Sequence, residues 1–341
     1  MHVLVTGHTG FKGAWLAMML TARGHEVSGL SLDPVPGALY TAAGVAGDLT
    51  HDLRIDIRNE FATAEAIRTV APDVVMHLAA QPLVRLSYRE PRLTYETNVM
   101  GTLNVLEGVS QTPSVKAHLV VTTDKVYRNV EQEAGYVESD PLGGFDPYSS
   151  SKAMADLLVQ SWVRSYPGVP TAIARAGNVI GGGDVSEDRL LPDLIAHFVD
   201  GAPTSIRYPD AVRPWQHVLD CLNGYMTIVD ALLQGSGLGE WNLGPGRESF
   251  VRVGDVADQA AQYWGDGATW IDDGGDHPHE AGLLALDARR AGRELGWRNV
   301  LPYPESLEWT VEWHRGVIDG MSPREITLFQ IDRFETRAAG A

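Results

Sequence analysis

The chain is predicted to be α/β: a Rossmann-type doubly wound parallel sheet with a smaller C-terminal α/β substrate domain. Three observations carry this prediction. Short apolar runs alternate with helix-length segments through the first half of the chain. A glycine-rich turn, Gly7-His8-Thr9-Gly10-Phe11-Lys12-Gly13, separates the first run from the first helix. An acid, Asp33, stands 20 positions after Gly13, at the end of the second run.

The runs expected as strands are 2–6, 26–32, 51–57, 74–78, 117–122 and 172–176. The helical segments between them are 13–23, 60–70, 92–109 and 149–165. Such alternation predicts parallel strands covered on both faces, joined by right-handed crossovers. Residues 1–177 are read as an NAD-binding Rossmann domain. Residues 178–341 are read as mainly substrate-binding, with some segments able to return to the Rossmann sheet. Glycines at 181–183, the stretch 206–215 and the acidic run 272–276 interrupt this second half. A Glu- and Gly-rich segment, 128–145, reads as a mobile flap beside the site, and residues 337–341 as a frayed end.

Composition narrows the function classes. The 341 residues carry a formal net charge of -17, which argues against nucleic acid or an anionic membrane surface as partner. No apolar stretch approaches the length of about 20 residues that a membrane span needs. One cysteine, Cys221, excludes a disulfide within the chain and suits a reducing compartment. The first residues run directly into a strand pattern without a secretory leader, so a cytoplasmic location is expected.

The glycines of the 7–13 turn permit a tight bend and close backbone approach to a pyrophosphate, which the N-terminus of the next helix would meet with its N–H groups. The spacing GxxGxxG departs from GxGxxG, and in a chain with 36 glycines only the strand–turn–helix context gives it weight. Asp33 is placed to take the adenosine ribose hydroxyls, with Ser31 as competitor. No Arg or Lys lies between Arg23 and Arg54, which favours NAD over NADP. Asp56-Ile57 is placed to meet the adenine.

Tyr148 and Lys152 share a helix face at i and i+4, behind Asp146 as cap and Pro147 in the first turn. A phenol needs a neighbouring positive charge to serve as a base near neutrality. Thr123 ends the fifth strand at the ligand-binding edge, and Asp124 and Lys125 follow it. A carboxyl and an amine side by side are what elimination of water requires: an acid at the leaving hydroxyl and a base at the neighbouring carbon. The run Asp276-His277-Pro278-His279-Glu280 has no known zinc spacing, and no metal is expected.

These residues, with His77-Leu78-Ala79-Ala80-Gln81-Pro82-Leu83-Val84-Arg85, Asn98-Val99-Met100-Gly101-Thr102 and Arg213-Pro214-Trp215-Gln216-His217, resemble the extended short-chain dehydrogenase/reductases. Within them they resemble the NAD-dependent epimerase/dehydratase family, and most of all its nucleotide-sugar 4,6-dehydratases. The resemblance covers nearly the whole chain, and Thr123-Asp124-Lys125 is its most discriminating part. One departure is Val185, where the family usually has Trp.

The resemblance implies NAD as cofactor and an NDP-glucose, expected to be CDP-glucose, as substrate. It implies oxidation at C4, elimination across C5/C6 and hydride return to C6. Thr123, Asp124, Lys125, Tyr148 and Lys152 would be catalytic. The cofactor would meet Gly7, Thr9, Gly10, Phe11, Lys12, Gly13, Asp33, Asp56, Ile57, Leu78, Ala79, Ala80, Asn98 and Thr122, besides Tyr148 and Lys152. The substrate would meet Gln81, Arg85, Asn178, Arg189 and Arg213. A homodimer is implied, through the helices at 92–109 and 149–165. An epimerase or 5,6-dehydratase on the same scaffold, or a non-catalytic NAD-binding regulator, are the alternatives.

Overall fold

A computed structural model describes residues 1–275 and 282–340. Seven strands form one parallel sheet: β1 (His2–Thr6), β2 (Glu26–Ser31), β3 (His51–Arg54), β4 (Val74–His77), β5 (Ala117–Val121), β6 (Thr171–Ala176) and β7 (Gly239–Leu243). Their order across the sheet is β7-β6-β5-β4-β1-β2-β3. The chain runs outward in one direction from β1 to β3 and then in the other from β4 to β7. The switch point therefore lies between β1 and β4, where a cofactor crevice opens beyond the carboxyl ends of the strands.

The central strands β4, β5 and β6 are buried along their whole length because both faces are covered. On one face, α1 (Phe11–Ala22) and the later helix Val218–Leu233 bury Trp15, Leu16, Met19, Leu222 and Ile228 against Val3, Val5, Met76 and Leu119. On the other, α2 (Glu60–Val70), α3 (Gly101–Ser110) and α4 (Pro147–Ser165) bury Ile67, Val105 and Val159 against Leu4, Val75, Val120 and Ile173. A second core, including Leu194, Phe198, Ile206, Val256, Ala260, Leu307 and Val311, is built from later residues. Local signals fix two helix starts. The Asn59 side-chain oxygen Oδ1 accepts from the Ala62 N–H (3.1 Å), and the Asp146 carboxylate accepts from the Ser149 N–H (2.9 Å), with Pro147 in the first turn.

Besides β3, which ends at Arg54 rather than 57, the structure differs from the sequence reading in three places. The expected helix at 92–109 is a helix (Pro91–Tyr95), a π-helical turn (Glu96–Met100) and α3. The wider turn carries Asn98 toward the loop after β4, where its amide bonds the Gln81 backbone and Ser151. The segment 128–145 is not a detached flap. Tyr136 stacks on Tyr127 with ring centroids 5.1 Å apart, and its backbone exchanges hydrogen bonds with Ala285 and Asp287. The expected frayed end is helical through Gly340, with Arg337 ion-paired to Glu305. The His-rich run 276–280 lies outside the described residues. Among the described residues no helix is long and apolar enough to cross a membrane, and no cluster of metal-ligating side chains forms.

Candidate active site

The turn after β1 is built for close approach. Gly7 has φ +77°, and a Cβ there would lie 2.8 Å from the Ala79 backbone nitrogen, so the loop after β4 packs directly on it. A Cβ at Gly13 would fall 2.1 Å from the Gly7 carbonyl oxygen, so α1 must press against the turn. Gly10 precedes α1 without any side-chain cap, leaving the first N–H groups of Phe11, Lys12 and Gly13 directed at the crevice. This cradle fits a dinucleotide pyrophosphate. Leu78, Ala79 and Ala80 form its floor, and the Ala79 N–H is held by Thr6 Oγ1 (3.2 Å). The Thr9 hydroxyl faces away from the cradle, bonded to Ser31 Oγ (2.7 Å) and the Leu32 carbonyl (3.1 Å).

Asp33 is exposed at the end of β2. Arg54, which ends the neighbouring β3, reaches it at 3.4 Å from Nε. The cation absent from the local sequence is thus supplied by the adjacent strand. That guanidinium is already engaged by both carboxylate oxygens of Asp52 (2.6 and 3.0 Å) and lies over the Tyr40 ring. Asp56 is held by Arg58 through Nε (2.9 Å) and bounds a cleft of about 500 Å³ with Arg58, Asn59, Glu96 and Met100. Ile57 is buried behind it against Gly101.

The catalytic candidates meet at the carboxyl end of β5. Thr123 caps a short 3-10 turn, Asp124–Val126. The Tyr148 phenol lies close enough to Thr123 to be influenced by its hydroxyl, which itself donates to Asp124 Oδ1 at 2.8 Å. Phenol, alcohol and carboxyl therefore form one line. Burial pushes the Asp124 carboxyl above its usual range, against the pull of Lys125 and the Thr123 hydrogen bond. Burial likewise pushes the Tyr148 phenol up to about 12, opposed by the Thr123 hydrogen bond and Arg189. Lys152 is buried, its Nζ donates to the Val121 carbonyl (2.7 Å), and burial lowers it to about 7, assisted by Lys12. Lys12 turns its ammonium to the Tyr225 hydroxyl (3.2 Å) and is lowered by burial. Lys125 is half-buried beside Asp124.

The substrate candidates divide into two groups. Arg213 and Arg189 lie close enough to act electrostatically on Asp124 and Tyr148 respectively. Arg213 Nη1 donates to the carbonyls of Val212 (2.9 Å) and Gly282 (3.2 Å), and Asn178 accepts from Gln216 N–H through its carbonyl (3.2 Å). Arg85 sits on the rim, 2.7 Å from Asp188, and Asp188 has φ +60°. Gln81 differs in character: its amide spans Thr94 Oγ1 (2.8 Å) and the Leu83 N–H (2.6 Å). Asn98 and Thr122 also carry their side chains as internal braces, Thr122 by donating to Asp156 Oδ2 (3.1 Å).

Residues 3–244 match the family model described as the NAD dependent epimerase/dehydratase family. The chain belongs to this family. It is 43% identical to a CDP-glucose 4,6-dehydratase of Salmonella typhimurium, over 95% of both chains. It is 32% identical to a dTDP-glucose 4,6-dehydratase of Streptomyces antibioticus, over 92% of both. Among solved structures it is similar to a dTDP-glucose 4,6-dehydratase of Streptomyces venezuelae solved with NAD bound. There the TM-score is 0.80 at 26% identity, covering 95% of this chain and 100% of that one. A UDP-glucose 4-epimerase of Thermus thermophilus in complex with NAD gives a TM-score of 0.81 at 26% identity, covering 93% of this chain and 99% of that one.

Two groups in this family member were not singled out from sequence. Arg54 becomes visible only once β3 is placed beside β2. The second is a buried pair, Arg175 and Asp156, with side chains 1% and 0% exposed. Arg175 donates to both oxygens of Asp156 (2.8 and 2.7 Å) and to the Tyr127 hydroxyl (2.8 Å). Asp156 also receives Thr122, so both flanks of the 123–125 triplet hang from one ion pair. The sequence signal was an Arg in the middle of an otherwise apolar strand, which demands a buried partner.

Proposed function

We propose that the chain is a nucleotide-sugar 4,6-dehydratase acting on CDP-glucose. The observation that carries this reading is the line Tyr148–Thr123–Asp124 with Lys125 as the next residue, facing the dinucleotide cradle. The relatives that share the chain's full length and are named 4,6-dehydratases support it.

NAD, when bound in the cradle, supplies a hydride acceptor for C4 and later a donor for C6. Tyr148 takes the proton of the C4 hydroxyl, and Thr123 aligns and polarises that oxygen. The resulting ketone acidifies the hydrogen at C5, which Lys125 removes; the ammonium so formed exchanges with water and returns a proton to C5 when C6 receives hydride. Asp124, whose carboxyl burial shifts toward the protonated form, delivers its proton to the C6 oxygen as the C6–O bond breaks and water leaves. Lys152 orients the nicotinamide ribose and favours the phenolate of Tyr148. Arg189, Arg213 and Asn178 receive the diphosphate, Arg offering paired donors to its oxygens. Gln81 shapes the sugar end, and Arg85 closes the rim. Residues 1–177 serve as the cofactor domain and residues 178–341 as mainly the substrate side.

Incubation with CDP-glucose in deuterated water is expected to give a 4-keto-6-deoxy product carrying deuterium at C5. Product without that label, an epimer, an exocyclic alkene or no turnover would overturn the reading.

The same reading includes a cytoplasmic homodimer. Its contact is through α4, where Met154 and Leu157 are half exposed one turn apart, and through the helical run 91–110. Sedimentation at micromolar concentration should give twice the chain mass of 37.0 kDa, and a monomer would refute the dimer.

A further inference from the structure

Gly177 follows β6 and stands opposite the Asp124 carboxyl. A Cβ at this position would lie 2.9 Å from Asp124 Oδ2 and 3.5 Å from its Cγ, with Pro214 Cγ next at 3.7 Å. The backbone of Gly177 is not among those with positive φ, so conformation alone does not demand glycine. The demand is for space, and the atom that claims the space is the carboxyl oxygen. Asp124 is only 4% exposed, and its other oxygen is held by Thr123 at 2.8 Å. A methyl behind the acid would crowd that oxygen, so the carboxyl must shift to admit it.

We propose that Gly177 is a positioning residue for elimination, setting where the Asp124 carboxyl stands. The inference rests on the dehydratase reading above. A side chain at 177 meets the mobile end of an aspartate rather than backbone. The fold therefore absorbs the change by rotating Asp124 off Thr123 and away from the leaving hydroxyl. Tyr148, Thr123 and Lys152 keep their places, so C4 oxidation continues while departure of water is slowed. A carboxyl moved toward solvent also regains its ordinary acidity. An acid must be protonated to act, so activity is present below its pKa and lost as pH rises through it. The alkaline limb of the rate profile should then move to lower pH.

The test is Gly177→Ala, with Asp124→Ala and the double variant completing a cycle. Gly177→Ala is expected to lower turnover on the order of 10²-fold, the cost of misplacing a reacting group by about an ångström. KM should be little changed, reduced nicotinamide should accumulate on the enzyme during turnover, and the alkaline limb should shift as stated. Wild-type turnover with an unchanged profile would overturn the proposal, as would an equal slowing of oxidation and elimination. Thermal melts of the same set are read without substrate. Adding Gly177→Ala to Asp124→Ala should cost nothing further, because the obstructing oxygen is gone. If Gly177→Ala alone does not fold, the double variant must fold, and its failure would show that glycine is required by something other than Asp124. Because the melts need no sugar, the coupling of 124 to 177 is decided even if the wild-type chain leaves CDP-glucose untouched, which would count against the dehydratase reading alone.

Discussion

Tyr148→Phe is expected to lower turnover of CDP-glucose by about 10²- to 10⁴-fold, the range that general acid–base groups contribute. The substitution removes one oxygen and keeps the ring, so α4 and its packing should be unaffected. Its effect is chemical. The phenol is the group in the line with Thr123 and Asp124 that can take the C4 hydroxyl proton while leaving the carboxyl free for its own task. Without ligands the phenol sits at about 12, because burial outweighs the Thr123 hydrogen bond. It is a donor in this state. It becomes a base only when positive charge gathers around it, and Arg189 is the cation that already lowers it in this state. NAD binding, followed by fluorescence or calorimetry, should survive in the variant, which separates loss of chemistry from loss of the cradle. Turnover within a few-fold of wild type would remove Tyr148 from the mechanism.

The largest effect on stability is expected at Arg175. Arg175→Leu leaves the Asp156 carboxylate in the core with only Thr122 and Gln160 as donors. Breaking a buried ion pair from one side costs about 3–5 kcal/mol, because the remaining charge is uncompensated. Urea unfolding should show this as a large fall in midpoint. The double change Arg175→Leu with Asp156→Leu should recover much of the loss, since replacing both partners by apolar groups removes the stranded charge. A single variant as stable as the wild type would mean that the network contributes little.

Much of the frame could be read locally. Five of the six expected strands start where the structure starts them and the sixth begins one residue earlier, but four end sooner than expected, β3 by three residues, because the apolar runs continue into the loops that build the site. The start of α4 was equally legible from Asp146 and Pro147. What escaped reading depends on partners distant in sequence. β7 joins the sheet beside β6 only after about 60 residues of intervening chain, and no local pattern marks it as a sheet strand. The 128–145 segment looked loose because its ordering partners are at 282–287. The catalytic line was legible in type and spacing. The direction of polar side chains was not: Gln81, Asn98 and Thr122 have the chemistry of ligand contacts, yet the fold spends their side chains on internal hydrogen bonds. Gly177 was invisible for the opposite reason, since its significance lies in a neighbour it makes room for.

The suspension of the 123–125 triplet from Arg175 and Asp156 bears on how such proteins diversify. With Thr122 and Tyr127 moored to one interior charge pair, the 123–125 triplet held between them resembles a replaceable tool in a rigid handle. Exchanging the acid or the amine would alter the reaction without asking the scaffold to refold.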